Sequence, residues 1–175
     1  KQIIESTEWV YSEARNSVTF NTFIPDPLSE IHIQYEILSA LELTLSGDPA
    51  LCIVNLEGAF AQDRRFLHCI GMTDDRVALA GLELRNGSAD GSGGCIWAQG
   101  VALELFACVF RDARALWWEP GGGAVAVFGG SLLVSACIFS GNVFGAYNGG
   151  AGGAIAAWDA DVIIVGSHFT ENVAD

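Results

Sequence analysis

Gly122-Gly123-Ala124-Val125 and Gly152-Gly153-Ala154-Ile155 begin 30 residues apart, and Gly93-Gly94-Cys95-Ile96 begins 29 residues before the first of them. In each copy a phenylalanine stands 16 residues after the second glycine: Phe110, Phe139 and Phe169. The later two open a Phe-x-x-Asn, in Phe139-Ser140-Gly141-Asn142 and Phe169-Thr170-Glu171-Asn172. The first copy carries Ala113 where the asparagine falls. Self-similarity at a fixed period between about 20 and 50 residues marks a stacked architecture, because one such unit buries its apolar face only against its neighbours. The Leu-Asn and Trp-Asp signatures of leucine-rich repeats and propellers do not recur with the motif,.

Around the motif, the apolar segments have strand length. Val77–Leu84, Val101–Phe110, Ala124–Phe128, Leu132–Phe139, Ala154–Trp158 and Val162–Phe169 are rich in Val, Ile, Leu and Phe and are punctuated by Gly, Asp and Asn,. Two strands per repeat, joined by glycine corners, describe one coil of a parallel β-helix. Its rungs lie ~4.8 Å apart and like residues stack on like. The glycine pairs Gly93-Gly94, Gly122-Gly123 and Gly152-Gly153 are then corners with positive φ and no room for a Cβ,. Phe110, Phe139 and Phe169 form a core column, and Asn142 and Asn172 an amide ladder that satisfies buried backbone groups,. Phe128 and Trp158 predict a second aromatic column, which lapses at Gln99. Cys108, Cys137 and Ser167, each two residues before a motif phenylalanine, predict an inward column of small buried side chains,.

The expected organisation is a single all-β solenoid domain over residues 1–175. It divides into an N-terminal cap region (1–30), irregular early rungs (31–92) and regular rungs (93–175). Ile4–Arg15 is the one stretch that could form a helix, and it is expected to cap the stack. No polar capping segment follows the last motif, which predicts a piece of a longer solenoid or one protomer of a stack.

Composition narrows the function classes. The chain is 51% apolar and 17% charged, with a net charge of −13. That balance argues against nucleic acid as a partner, since phosphate recognition relies on Lys and Arg. No run reaches the ~18 apolar residues of a membrane-spanning helix. Between Gly121 and Ala160 the only charged side chain is Asp159. Such a weakly polar surface suits a contact face, or simply a tightly turned coil of small residues. Among the five cysteines no metal-ligand spacing occurs,. Cys52 and Cys69, each near the end of an apolar run, are the disulfide candidates, and their pairing would suit a secreted chain.

Gly152-Gly153-Ala154-Ile155 followed by Phe169-Thr170-Glu171-Asn172 resembles the paired signature of the chlamydial polymorphic membrane protein repeat. The same pattern recurs in secreted bacterial and algal proteins with a pectin-lyase-like right-handed parallel β-helix. Leu43-Thr44-Leu45-Ser46-Gly47 resembles the early strand-turn of such a domain, and Leu82-Glu83-Leu84-Arg85-Asn86-Gly87 one of its rungs. The resemblance spans residues 31–175 and is strongest from Gly93. It implies a right-handed β-helix in an adhesin, a surface coat component or another secreted protein.

Candidate chemistry is sparse. Glycoside hydrolysis needs two carboxylates converging on one face, and a lyase needs an acidic calcium cluster with a positioned base. Asp74-Asp75-Arg76, Asp63-Arg64-Arg65 and Arg111-Asp112 with Arg114 do not recur at the rung period, and solvated loops are the simpler reading of each. His32, His68 and His168 are scattered over early, middle and last rungs. The glycine pairs are not phosphate cradles, because neither Lys-Ser/Thr nor a helix follows them. No catalytic residue, metal site or cofactor is therefore expected.

Two features bear on binding. Asn86-Gly87-Ser88 is an N-glycosylation sequon on a predicted turn,. Trp117-Trp118 lies between two motif copies, and adjacent side chains of an extended chain point to opposite faces. One of the pair is then either a sugar-stacking platform or a protein contact, unless one covers the core edge and the other folds over the loop. The sequence thus predicts a non-enzymatic, extracellular structural or adhesive module that associates with itself or with neighbouring solenoid chains. The alternative is a carbohydrate-binding or polysaccharide-degrading protein.

Overall fold

The structure, a computed structural model, describes residues 9–12, 17–20, 42–47, 53–56, 64–72, 74–117, 121–146 and 152–175. These residues form an all-β parallel solenoid. Two strands, β1 (Trp9–Ser12) and β2 (Ser17–Phe20), pair antiparallel, and β2 lies parallel to β3 (Glu42–Ser46), which precedes β4 (Ile53–Asn55). Four coils of four strands follow. The first holds β5 (Leu67–Ile70), β6 (Arg76–Ala80), β7 (Glu83–Arg85) and β8 (Ser88–Ala89). The second holds β9 (Ile96–Gln99), β10 (Ala102–Phe106), β11 (Val109–Arg111) and β12 (Arg114–Trp117). The third holds β13 (Val125–Phe128), β14 (Ser131–Ser135), β15 (Ile138–Ser140) and β16 (Val143–Ala146). The fourth holds β17 (Ile155–Trp158), β18 (Asp161–Val165), β19 (His168–Thr170) and β20 (Val173–Ala174).

Each strand pairs in parallel with its counterparts one coil away, so the coils build four lateral sheets. Sheet A runs β1-β2-β3-β6-β10-β14-β18 and sheet B runs β4-β7-β11-β15-β19. Sheet C runs β8-β12-β16-β20 and sheet D runs β5-β9-β13-β17. The expected capping helix is corrected at Trp9–Ser12, which is a strand of sheet A. Its Trp-Val-Tyr sequence favours an extended chain with a partner to pair with.

There are four strands per coil rather than the expected two, and the cause is local backbone conformation. Ala107, Ala136 and Gly166 take positive φ (48°, 54° and 57°), so each apolar run bends before the cysteine or serine that follows. A second bend falls at Asn86, Asp112, Gly141 and Glu171, with φ of 54°, 54°, 66° and 55°. The left-handed region costs a residue with a Cβ roughly 1–2 kcal/mol. Most of these bends therefore carry a small or short polar side chain.

The glycine pairs work differently from expectation. Of the six, Gly93 alone has a positive φ, at 71°. What the others require is space. A Cβ on Gly94 would lie 2.5 Å from the Arg114 carbonyl oxygen, and one on Gly123 would lie 2.8 Å from that of Val143. On Gly153 it would lie 2.6 Å from the Val173 carbonyl carbon. Each second glycine thus brings the start of sheet D against the start of sheet C, where the tube closes on itself.

Inside, columns of like residues fill the tube. Leu84, Phe110, Phe139 and Phe169 are successive Cα partners in sheet B. Phe110 and Phe139 are fully buried, with ring centroids 4.7 Å apart and planes within 5°. Phe139 and Phe169 repeat this at 4.9 Å and 2°. The spacing is the interstrand distance itself, so backbone pairing and ring stacking are satisfied by one rise. Leu103, Leu105, Leu132 and Val134 from sheet A and Ile96, Ala98, Val125 and Val127 from sheet D complete the same cluster. A smaller core joins Ala89, Ala115 and Phe144 beside sheet C.

Phe139→Ala removes the ring that stacks on both neighbours and is expected to cost about 3–5 kcal/mol. Gly123→Ala, forced against backbone rather than a movable side chain, is expected to prevent the last coils from closing. Urea denaturation followed by far-UV circular dichroism measures both. Wild-type midpoints for either variant would contradict the packing described.

Candidate functional site

Two polar columns run beside the phenylalanines. In the first, Asn142 Oδ1 accepts the Ala113 N–H at 3.1 Å while Asn142 Nδ2 donates to Phe110 O at 3.1 Å and to Asn172 Oδ1 at 2.8 Å. Asn172 repeats the pattern one coil on. Its Oδ1 accepts the Asn142 N–H at 3.1 Å and its Nδ2 donates to Phe139 O at 3.0 Å. Asn142 is completely buried, and each of these bonds satisfies a group that would otherwise lose its water unpaid by any partner,. Ala113, the degenerate position, is received by this ladder but does not extend it.

In the second column the Cys108 N–H donates to Cys137 Sγ at 3.4 Å, and the Cys137 N–H to Ser167 Oγ at 3.0 Å. Each of these side chains turns its own hydrogen back to the residue two before it: Phe106 O at 3.3 Å, Ser135 O at 3.4 Å and Val165 O at 3.1 Å. The thiols stand in for serine hydroxyls as caps of the bend. Both thiols are buried, out of reach of a substrate. The hydrogen bond shared with the Cys137 side chain, together with burial, pushes the Cys108 thiol up, and the same shared bond holds Cys137 below its ordinary value. Burial pushes Cys95 and Cys69 up to about 12 each. Cys69 is a free thiol whose Sγ donates to Trp97 O at 3.8 Å. Cys52 itself lies outside the described residues.

The outer faces carry what else could meet a partner. On sheet D, Phe128 stacks on Trp158 at 4.8 Å with planes 13° apart. Trp97 leans on Phe128 at 5.6 Å, and His68 meets Trp97 edge-on at 4.5 Å. Trp97 lies opposite Ala126 in the register and reaches diagonally across the lapse at Gln99. The expected second aromatic column therefore exists on the outside and is one ring longer than the motif implies. The signal for Trp97 was its place two residues before Gln99, on the same face of the strand. Trp117 lies on β12 opposite Ala146 along the backbone, and Trp118 is outside the described residues.

On sheet B, Glu83 is 6% exposed and its Oε1 accepts bonds from Arg85 Nε at 2.6 Å and Arg111 Nε at 2.8 Å. Arg85 and Arg111 are direct cross-strand partners, a like-charge pairing that costs stability unless a carboxylate sits between them,. Burial alone would raise the Glu83 carboxyl, but the hydrogen bonds and charges of the two arginines outweigh it and hold the group below its ordinary value. Sequence reading missed Glu83, because nothing in a lone Glu-x-Arg shows that a second arginine stacks above it. On sheet A, Arg76 and Glu104 form a two-pronged pair, with Nε–Oε1 at 2.8 Å.

The other sequence candidates take structural places. Asp75 is buried and accepts the Met72 N–H at 2.8 Å. Arg65 donates from Nε to Ser92 O at 3.2 Å and to Gly93 O at 3.0 Å, tying down the first glycine corner. Asp63 and His32 lie outside the described residues, and His168 is exposed on the outside of sheet B. Asn86 is partly exposed at its bend and donates from Nδ2 to Asn55 Oδ1 at 2.8 Å. An N-linked glycan leaves one hydrogen on that nitrogen, so the bond and a glycan are chemically compatible. Among the described residues no group of His, Cys, Asp and Glu could hold a metal ion, and no helix is long and apolar enough to cross a membrane.

Val162, Ile164 and Phe169 of the fourth coil continue the inward columns of sheets A and B, while Ile163 and Val165 lie on the outside of β18. The chain matches no protein-family model, no curated protein and no solved structure.

The Glu83 linkage has a definite sign. A carboxyl held lower in the folded state adds stability above its unfolded value of about 4.3 and loses that contribution as pH falls through the folded value. Glu83→Gln is expected to cost about 1 kcal/mol at pH 7, given the half-exposed arginines. It should cost progressively less as pH drops below about 4.3. Thermal melts of both proteins from pH 7 to 3 measure the difference, and a pH-independent gap would refute the assignment.

Proposed function

We propose that this chain is a non-enzymatic structural or adhesive β-helix module, exposed outside the cell, that associates with itself or with neighbouring solenoid chains in a surface coat, sheath or fibre. The observation that carries this reading is the stack itself, in which the motif side chains are consumed in ladders between coils: Phe110, Phe139 and Phe169 ring on ring, and Asn142 bonded to Asn172. The reading agrees with the resemblance of the repeat to that of chlamydial polymorphic membrane proteins. The nearly uncharged stretch from Gly121 to Ala160 adds a lateral surface with little repulsion between copies.

The buried polar side chains also favour a structural role. Glu83, Asp75 and Asn142 are each held in bonds that maintain bends or pair strands, and the thiols of Cys108 and Cys137 are spent on backbone carbonyls.

Sedimentation velocity over a wide concentration range tests the reading. Growth of oligomers with concentration is expected, together with its suppression in Ile163→Lys, which places a charge on the outside of the last strand of sheet A. A wild-type chain that stays monomeric at millimolar concentration would count against the proposal.

A further inference from the structure

We propose that Asn86-Gly87 is a site of spontaneous deamidation whose reacting atoms the fold holds apart, so that modification follows opening of the first coil. In an unrestrained Asn-Gly the glycine nitrogen gives up its proton and attacks the asparagine Cγ. The new N–Cγ bond closes a succinimide, the Cγ–Nδ2 bond breaks and ammonia leaves. Water then opens the ring at either carbonyl, giving aspartate or isoaspartate, and no electrons are exchanged with an outside reagent. Glycine permits this most readily, because no side chain shields its nitrogen.

The fold accounts for both residues. Asn86 has a φ of 54°, in the left-handed region that asparagine tolerates better than most residues,. A Cβ on Gly87 would lie 2.3 Å from Gly94 O and 2.6 Å from Cys95 Sγ, so no side chain fits there. The glycine that makes the site reactive is therefore one that the closing of the tube requires. The equivalent bends carry Asp112-Ala113, Gly141-Asn142 and Glu171-Asn172, none of them an Asn-Gly.

Both reacting groups are occupied while the coil is closed. Asn86 Nδ2 donates to Asn55 Oδ1 at 2.8 Å and the Asn86 N–H to Arg111 O at 3.0 Å, which fixes the residue between its two neighbouring coils. The Gly87 N–H precedes those of Ala113 and Asn142 in one column, and each of the later two is received by an asparagine Oδ1 one coil on. Gly87 meets Ala113 at that place, which offers no acceptor. Cys95 fills the gap. Its buried Sγ abuts Gly87, and while burial pushes the thiol up, the Gly87 N–H facing it draws it partly back. The first motif copy thus departs from the pattern twice, with Cys95 for alanine and Ala113 for asparagine, and the two departures compensate.

Reaction in an opened chain leaves a lasting mark. Aspartate at this place sets a carboxylate against Asn55 Oδ1. Isoaspartate adds a methylene to the main chain between Arg85 O, which accepts the Leu56 N–H, and Gly87 O, which accepts that of Arg114.

The test uses the whole chain, made in a host that adds no N-linked glycan and incubated at mildly alkaline pH. Peptide mass mapping and an isoaspartate-specific methyltransferase count the products at position 86. Deamidation of the folded chain is expected to be at least about ten-fold slower than in denaturing urea, since only opened molecules react. Cys95→Ala installs the residue found at Ala124 and Ala154, so it keeps the fold, and it is expected to deamidate about three-fold faster through loss of one modest hydrogen bond,. Cys95→Ser retains an acceptor, and Cys95→Ala with Ala113→Asn supplies one from the next coil. Both are expected to return to the wild-type rate. Equal rates in the folded chain and in urea would overturn the proposal, and so would a Cys95→Ala rate matched by Cys95→Ser and by the double variant.

Discussion

A coil of a parallel β-helix can hydrogen-bond only to the coils directly before and after it, so every bend in one coil lies against the same bend in the next. At those bends the backbone turns away from its ladder and leaves N–H and C=O groups inside a tube without water. The Asn142 and Asn172 amides resolve this by reaching back one coil and pairing with Ala113 N–H, Phe110 O, Asn142 N–H and Phe139 O. The Cys108, Cys137 and Ser167 column does the same at the preceding bend. Once the bends are satisfied at a common rise, the phenylalanine rings between them meet at 4.7 and 4.9 Å without further adjustment.

That dependence also explains why the regularity fades toward the N-terminus. The asparagine column ends at Ala113, the phenylalanine column passes to Leu84 and Val54, and sheet D reaches β5 without a glycine pair before it. In that region other devices hold neighbouring coils together. Glu83 joins Arg85 to Arg111, Arg76 joins Glu104 across two strands of sheet A, and Arg65 anchors the loop before the first glycine pair. Charge therefore does between early coils what amide and aromatic ladders do between late ones.

Much of this was legible from spacing alone. The period set the coil, and the phenylalanine, asparagine and cysteine-serine columns were each assigned correctly from residues two or three apart. What spacing did not reveal was backbone conformation. Ala107, Ala136, Asp112 and Glu171 sit in the left-handed region although none is glycine, so the bends that split two strands into four show glycine only in some coils, at Gly141 and Gly166, and gave no repeating signal. Conversely, five of the six motif glycines looked like positive-φ turns but are demanded by close backbone approach, to the carbonyl three residues on at Gly122 and Gly152 and to sheet C backbone at Gly94, Gly123 and Gly153. Trp97 was missed because its ring bridges diagonally, and Glu83 because its second arginine comes from another coil. Function was less legible than fold, since the motif residues are consumed in building the stack.

The central claim is that side-chain ladders, not strand pairing alone, set the register of the coils. Hydrogen exchange read by NMR on the Asn142 side-chain amide and the Ala113 backbone amide tests it most directly. Both are predicted to exchange as slowly as the central amides of β10 and β14, and to show contacts with Asn172 and Phe110. Rapid exchange of the Asn142 amide protons in an otherwise protected chain would contradict the account, because it would place that side chain in water rather than in the ladder.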